Sequence, residues 1–289
     1  DHSIGVALIV WNFTRDKKQT LAALFHDIAT PAFSHVNDFR NGDALLQEST
    51  EKSTKQIIND DVELSELLFK QGIYKYEIDD YHKFPIADND LPGLSADRLE
   101  YMFPSGAALD GIWTMDDIET LYKDITVLTN EAGQPELGFK SEIAAVQYTK
   151  RFLKTSHILQ YNEDKVAMQM LADILTMAID KSYISEKELY VLDEEYIIAS
   201  FDKISSLGTD PAFTRLYHTF RHMKTVQHTM EPLQDAYCIS LEVKKRFVDP
   251  LVLSGGRPRR ISLVSLDAAC CIKDFLNFSD TPYACVCWT

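Results

Sequence analysis

For most of its length this chain repeats apolar residues every three or four positions, a spacing that a helix converts into one buried face. Ile4, Leu8 and Trp11 keep it, as do Leu21, Leu24, Phe25 and Ile28. Leu64, Leu67 and Leu68 mark another helix, and Ser95 reads as the N-cap of one holding Leu99, Met102 and Phe103. A further helix is predicted over 115–128, then a polar break over 130–138. Long helices are predicted over 141–153, 164–179, 185–204 and 211–230. The pattern changes near residue 236. Residues 237–248 alternate and are rich in β-formers, 260–266 reads as a second strand, and 268–278 as a closing helix. The reading is a mainly α chain with a small C-terminal α/β appendage, divided as 1–128, 129–235 and 236–289.

One dipeptide stands out from the helical pattern. His26 and Asp27 are adjacent, yet successive helix positions point about 100° apart. Both side chains reach one ion only near a helix end, which Pro31 is expected to supply. An imidazole nitrogen with a carboxylate oxygen makes a mixed site suited to borderline metals. Two more candidate ligands stand in comparable contexts: His2 at the start of the preceding helix, and Asp97 in the first turn of the Ser95-capped one.

Net charge is -15, with 44 acidic against 29 basic side chains, which disfavours extended nucleic-acid binding but not one small phosphate ligand in a cleft. No apolar run approaches the ~20 residues of a membrane span. The five cysteines are an odd number gathered in the last fifth of the chain, so free thiols in a reducing, cytoplasmic setting are expected. His218 and His222 have i, i+4 spacing but lack a metalloprotease glutamate, so a basic helix face is the expectation there. The first residue already lies in a predicted helix, so the chain is expected to begin downstream of a natural start.

Three segments resemble motifs of the HD-domain metal-dependent phosphohydrolases, most closely the branch that hydrolyses deoxynucleoside triphosphates. They are His2-Ser3-Ile4-Gly5-Val6, His26-Asp27 followed by Pro31-Ala32-Phe33-Ser34-His35, and Ala96-Asp97-Arg98-Leu99-Glu100-Tyr101. They come in the family's order and cover roughly the first third of the chain; 243–250 resembles the family's C-terminal piece less specifically.

The resemblance implies an HD-type helical bundle with His2, His26, Asp27 and Asp97 around one divalent metal ion: Mn, Fe, Ni, Co, Zn or Mg. It implies that His35 and Thr30 lie beside substrate, and that Arg98 and Tyr101 face phosphate oxygens. Relatives in this branch are homo-oligomers, some responsive to nucleotides. The chain departs from the pattern twice: Thr30 and Thr50 stand where active triphosphohydrolases carry histidines, and threonine is no general acid near neutral pH. Glu51 is then a candidate proton acceptor, with Lys52 and Lys55 as phosphate-facing cations. The expected activity is hydrolysis of a nucleotide or related phosphate ester by metal-activated water. The alternative is a regulatory or assembly module that binds metal and nucleotide without turnover.

Overall fold

The structure, a computed structural model, describes residues 1–47, 49, 53–109 and 111–289. Capping residues set many of its boundaries. Helix α1 (His2–Thr14) stops where Arg15 turns left-handed, and Asp16 caps α2 (Lys17–Leu24) by accepting the amides of Lys18 and Gln19. The short helices α3 (Val36–Arg40), α4 (Thr54–Asp60) and α5 (Val62–Lys70) follow, the last capped by Asp61. Helix α6 (Ala96–Leu109) begins where Ser95 Oγ accepts the Arg98 amide at 3.2 Å. Thr114 and Asp117 close a capping box on α7 (Met115–Asp124).

A hairpin, β1 (Ile125–Thr129) and β2 (Pro135–Phe139), leads into α8 (Glu142–Ile158) and α9 (Asn162–Asp180). After α10 (Glu194–Leu207) and α11 (Pro211–His222) come β3 (Gln227–Thr229), β4 (Ala236–Ile239), β5 (Leu251–Ser254), β6 (Arg257–Arg260), α12 (Leu266–Asn277) and β7 (Tyr283–Cys287). Helices hold 55% of the chain, so it is mainly α with a small α/β portion toward the C-terminus. Among the described residues no helix is long and apolar enough to cross a membrane.

The chain forms two compact units, each assembled from separated segments. The first comprises Asp1–Ile28, Ser53–Ile158 and Arg246–Phe278. Its sheet has the order β1-β2-β5-β6, with β5 parallel to β2 and the other pairings antiparallel. One core joins Val6 and Val10 of α1, Leu99 and Met102 of α6, Tyr148 and Phe152 of α8, and Val252 of β5. Pairing of β5 with β2 is the reason the divisions at 128 and 235 do not match these units: it draws 246–278 into the first one.

The second unit comprises Ala29–Lys52, Leu159–Lys245 and Ser279–Thr289. Helix α9 packs against α3 and α11, and an antiparallel sheet has the order β3-β7-β4. Cys238 of β4 stands opposite Cys285 of β7, and the two form a disulfide. This corrects the expectation of five free thiols; Cys270, Cys271 and Cys287 are free.

Several elements differ from the sequence expectation. Ile4 and Leu8 are exposed, while Val6, Ile9 and Val10 face the core. Residues 6–11 of α1 are all apolar, so spacing alone does not single out one face. The helix expected over 115–128 ends at Asp124 and continues as β1, and the supposed polar break contains β2. Glu136 of β2 is almost fully buried because Arg260 meets both of its carboxylate oxygens. The strand expected over 237–248 is only β4, and the stretch 260–266 is mostly a helical turn after β6.

Candidate metal centre

The site lies within the first unit, where α1, the turn after α2 and the first turn of α6 come together. Helix α2 ends at Leu24, earlier than expected, and the chain continues in turns through Ala29. His26 and Asp27 therefore lie just past the helix, where neighbouring side chains can converge. His26 Nε2 is 3.2 Å from Asp27 Oδ2 and 3.5 Å from Asp97 Oδ1. His2 Nε2 is 3.0 Å from Asp97 Oδ1 and 3.6 Å from Asp27 Oδ2. The four residues expected as ligands are thus brought together, and donor separations of this size suit atoms that share one cation.

The two imidazoles are held from behind. His26 Nδ1–H donates to the Ala23 carbonyl at 2.7 Å, and His2 Nδ1–H donates to Glu100. Each contact leaves the Nε2 edge facing the carboxylates, the arrangement that orients metal-binding histidines. His26 Nε2 is buried and makes no hydrogen bond of its own. A buried, unsatisfied nitrogen flanked by two carboxylate oxygens is explained if a cation belongs between them. The donor set fits a divalent ion.

Electrostatics agree. Burial pulls the His2 imidazole down, but Asp97 and Glu100 outweigh it and lift it to about 9. Burial likewise opposes charge on His26, and Asp27 with Asp97 lift it to about 10. Burial pushes the Asp97 carboxyl up, yet both imidazoles hold it far below the usual carboxylate range; Asp27 is lowered in the same sense, chiefly by His26. The carboxylates here demand positive charge, and without a metal the histidines supply it as imidazolium.

Glu100 is a site residue the sequence reading missed. It is three positions after Asp97, so both lie on one face of α6, toward His2. A Cβ on Gly5 would stand 2.5 Å from the Glu100 carboxylate, so only glycine leaves room for it.

The other expected residues are placed as follows. Arg98 is buried, and its guanidinium bonds Asn89 Oδ1 at 2.7 Å, the Gly93 carbonyl at 3.0 Å and the Asn89 carbonyl. It also pairs with Asp88 at 3.3 Å. A phosphate-facing fork was expected; the side chain instead braces the loop before α6. Tyr101 is partly buried, with the Arg246 guanidinium 5.7 Å from its ring centroid; burial pushes its phenol up. Thr30 and His35 belong to the second unit, where Thr30 is exposed and His35 Nδ1 is 3.0 Å from Asp38 Oδ2. Thr50, Glu51 and Lys52 lie outside the described residues. Lys55 is exposed and 3.7 Å from the buried Asp79. His218 and His222 stack at 4.1 Å, and His222 Nδ1–H donates to the His218 carbonyl. Another group of potential ligands, Glu163, His228 and Asp280, uses both ring nitrogens of His228 on the two carboxylates, at 2.8 and 3.0 Å.

No known family profile matches the chain. It is 32% identical over 104 residues to the uncharacterised protein YdhJ of Bacillus subtilis (strain 168), a match covering 35% of this chain and 31% of that protein. Among solved structures, a phosphohydrolase from Bacteroides thetaiotaomicron VPI-5482 is similar with TM-score 0.66 at 14% identity, over 99% of this chain and 86% of that one. A hypothetical protein from Aquifex aeolicus is similar with TM-score 0.63 at 16% identity, over 100% and 82% of the two chains. At such identities the likeness is one of fold alone.

Proposed function

We propose that this chain is an HD-domain phosphohydrolase that uses one divalent metal ion to hydrolyse a nucleotide or related phosphate ester. The observation that carries the proposal is the convergence of His2, His26, Asp27 and Asp97, with His26 Nε2 buried and unsatisfied among the carboxylates. When bound, a divalent ion supplies Lewis acidity that activates water near neutral pH and offsets phosphate charge.

The chain's own residues do the rest. His26 is aimed by the Ala23 carbonyl and His2 by Glu100, so the ligands need little reorganisation to bind. Arg98 ties the first turn of α6, which carries Asp97, to the 88–95 loop before it. Lys55 stands near the site's own turn: its neighbour Thr54 donates from Oγ1 to the His26 carbonyl at 3.4 Å.

A second reading keeps metal and nucleotide binding without turnover. It is favoured by Thr30 and by the engagement of Arg98 in its own loop. One experiment separates them. The protein is purified without chelator, its metal content measured, and deoxynucleoside triphosphates, monophosphates and simple esters are tested beside Asp27→Ala. Metal-dependent turnover lost in Asp27→Ala supports the enzyme. A nucleotide-induced rise in Tm without turnover supports the binding module. A chain that takes up no metal overturns both.

A further inference from the structure

We infer that His82 is a further catalytic residue of the proposed site, the acid that protonates the leaving oxygen of the phosphate ester; the inference rests on the phosphohydrolase reading above. The first unit contains the histidines His2, His26, His82 and His157. His2 and His26 face the carboxylates as ligands. His157 packs its ring between Phe275 and Phe278, 4.9 Å from each. His82 remains.

Its surroundings are those of a positioned acid. The Tyr81 ring meets His26 edge-on at 5.7 Å, and His82 stacks on the other partner of that contact, 4.1 Å from Tyr81 and 26° from parallel. One aromatic ring therefore separates His82 from a metal ligand. Asp80 Oδ1 accepts from both the backbone N–H and the ring Nδ1–H of His82, each at 3.1 Å. A carboxylate on Nδ1 fixes the tautomer and the ring orientation, as in other acid–base histidines. Nε2, on the opposite edge, is the atom that would give up the proton. The turn is itself anchored: Tyr81 is buried, and the buried Asp79 carboxylate binds Lys83 at 3.2 Å and faces Lys55 at 3.7 Å. His82 is exposed on this fixed support, as a group that meets substrate must be.

The step balances as follows. Water oxygen bonds to phosphorus while the bond from phosphorus to the ester oxygen breaks, its electron pair going to that oxygen. The proton on His82 Nε2 moves to the same oxygen, giving an alcohol. The attacking water loses its proton to solvent, and solvent reprotonates His82.

The test is a series of phosphate monoesters, from p-nitrophenyl phosphate to an alkyl phosphate, hydrolysed by the manganese-loaded full chain and by His82→Gln. A good leaving group needs no acid, a poor one does. His82→Gln is expected to lose about a hundredfold in kcat on the alkyl ester, the lower end for general acids, and less than about threefold on p-nitrophenyl phosphate. Asp80→Asn should show the same skew more weakly. Metal stoichiometry should be unchanged, and the NMR signals of the His82 ring should move when inorganic phosphate is added to the loaded protein. Equal losses across the series, or none, would overturn the role of His82 while leaving the phosphohydrolase reading intact. Ring signals indifferent to phosphate would overturn it too. A wild-type chain that hydrolyses no ester in the series overturns this inference, while the nucleotide assays above decide the wider reading separately.

Discussion

Gly5 makes room for Glu100. A side chain on Gly5 would occupy the space where the Glu100 carboxylate reaches over α1 to grip His2. The glycine thus acts on the cluster of His2, His26, Asp27 and Asp97 through Glu100, without touching any of the four.

Two substitutions test this chain of contacts. Gly5→Ala and Glu100→Gln should each weaken Mn(II) binding by about 10- to 100-fold, the range for residues that orient a metal-binding histidine. Calorimetric titration measures it. Gly5→Ala should leave the circular dichroism of the chain unchanged, because alanine is the better helix former and only Glu100 must move. Wild-type affinity in both variants would show that Glu100 does not position His2.

Metal binding should release protons. In the metal-free protein His2 is lifted to about 9 and His26 to about 10, so both are imidazolium at pH 7. A cation binds only their neutral forms. Affinity should therefore rise steadily from pH 6 to 9 and level off above about 10. Titrations in buffers of different ionisation enthalpy count the protons. Equal affinity at pH 6 and pH 8 would mean that the imidazoles do not ligate.

Arg98→Gln should act on stability before it acts on substrate. Its guanidinium is buried against Asn89, Gly93 and Asp88, and removing it leaves the Asp88 carboxylate in a site where burial already pushes its pKa up. Removing one partner of a charge-assisted contact that is largely withdrawn from water costs about 1–3 kcal/mol. Urea denaturation reads that loss directly. A variant as stable as wild type but with a raised KM would restore Arg98 to the phosphate-facing role expected from sequence.

The disulfide should matter under oxidising conditions. Cys238 and Cys285 are separated by 47 positions, for which the chain-entropy estimate is about 4 kcal/mol. Dithiothreitol should lower the Tm of wild type and leave Cys238→Ser, Cys285→Ser unmoved. The idea fails if non-reducing mass mapping finds both thiols free in protein handled without reductant.

What sequence made legible, and what it did not, follows from range. The cluster of His2, His26, Asp27 and Asp97 was readable as a convergence because His26-Asp27 is chemically odd for a helix and because His2 and Asp97 each sit at a helix start. Glu100 was not, since an isolated glutamate on a helix looks solvated until another helix is known to cross it. The long helices α8 and α9 were readable from their apolar period. Strand β2 was not: Pro135 and Glu136 look like loop residues, and Glu136 is buried against the charge of Arg260, more than a hundred residues away, while Gly138 and Phe139 pair with β5. The Cys238–Cys285 pair was hidden for the same reason, its partners meeting only when β4 and β7 align.

The segmented make-up of the first unit bears on how the protein is born. The candidate ligands His2 to Asp97 leave the ribosome well before Val248, Val252, Ile261 and Ala268, which belong to the same core. At 5–20 residues per second the interval is on the order of ten seconds. On the proposed function, a nascent chain carries its full ligand set over an open core for that time. Whichever suitable ion is most abundant at the ribosome has first claim on it, and closure of the core then slows exchange. The metal found in the cell would record the timing of translation as much as the preference of the donors.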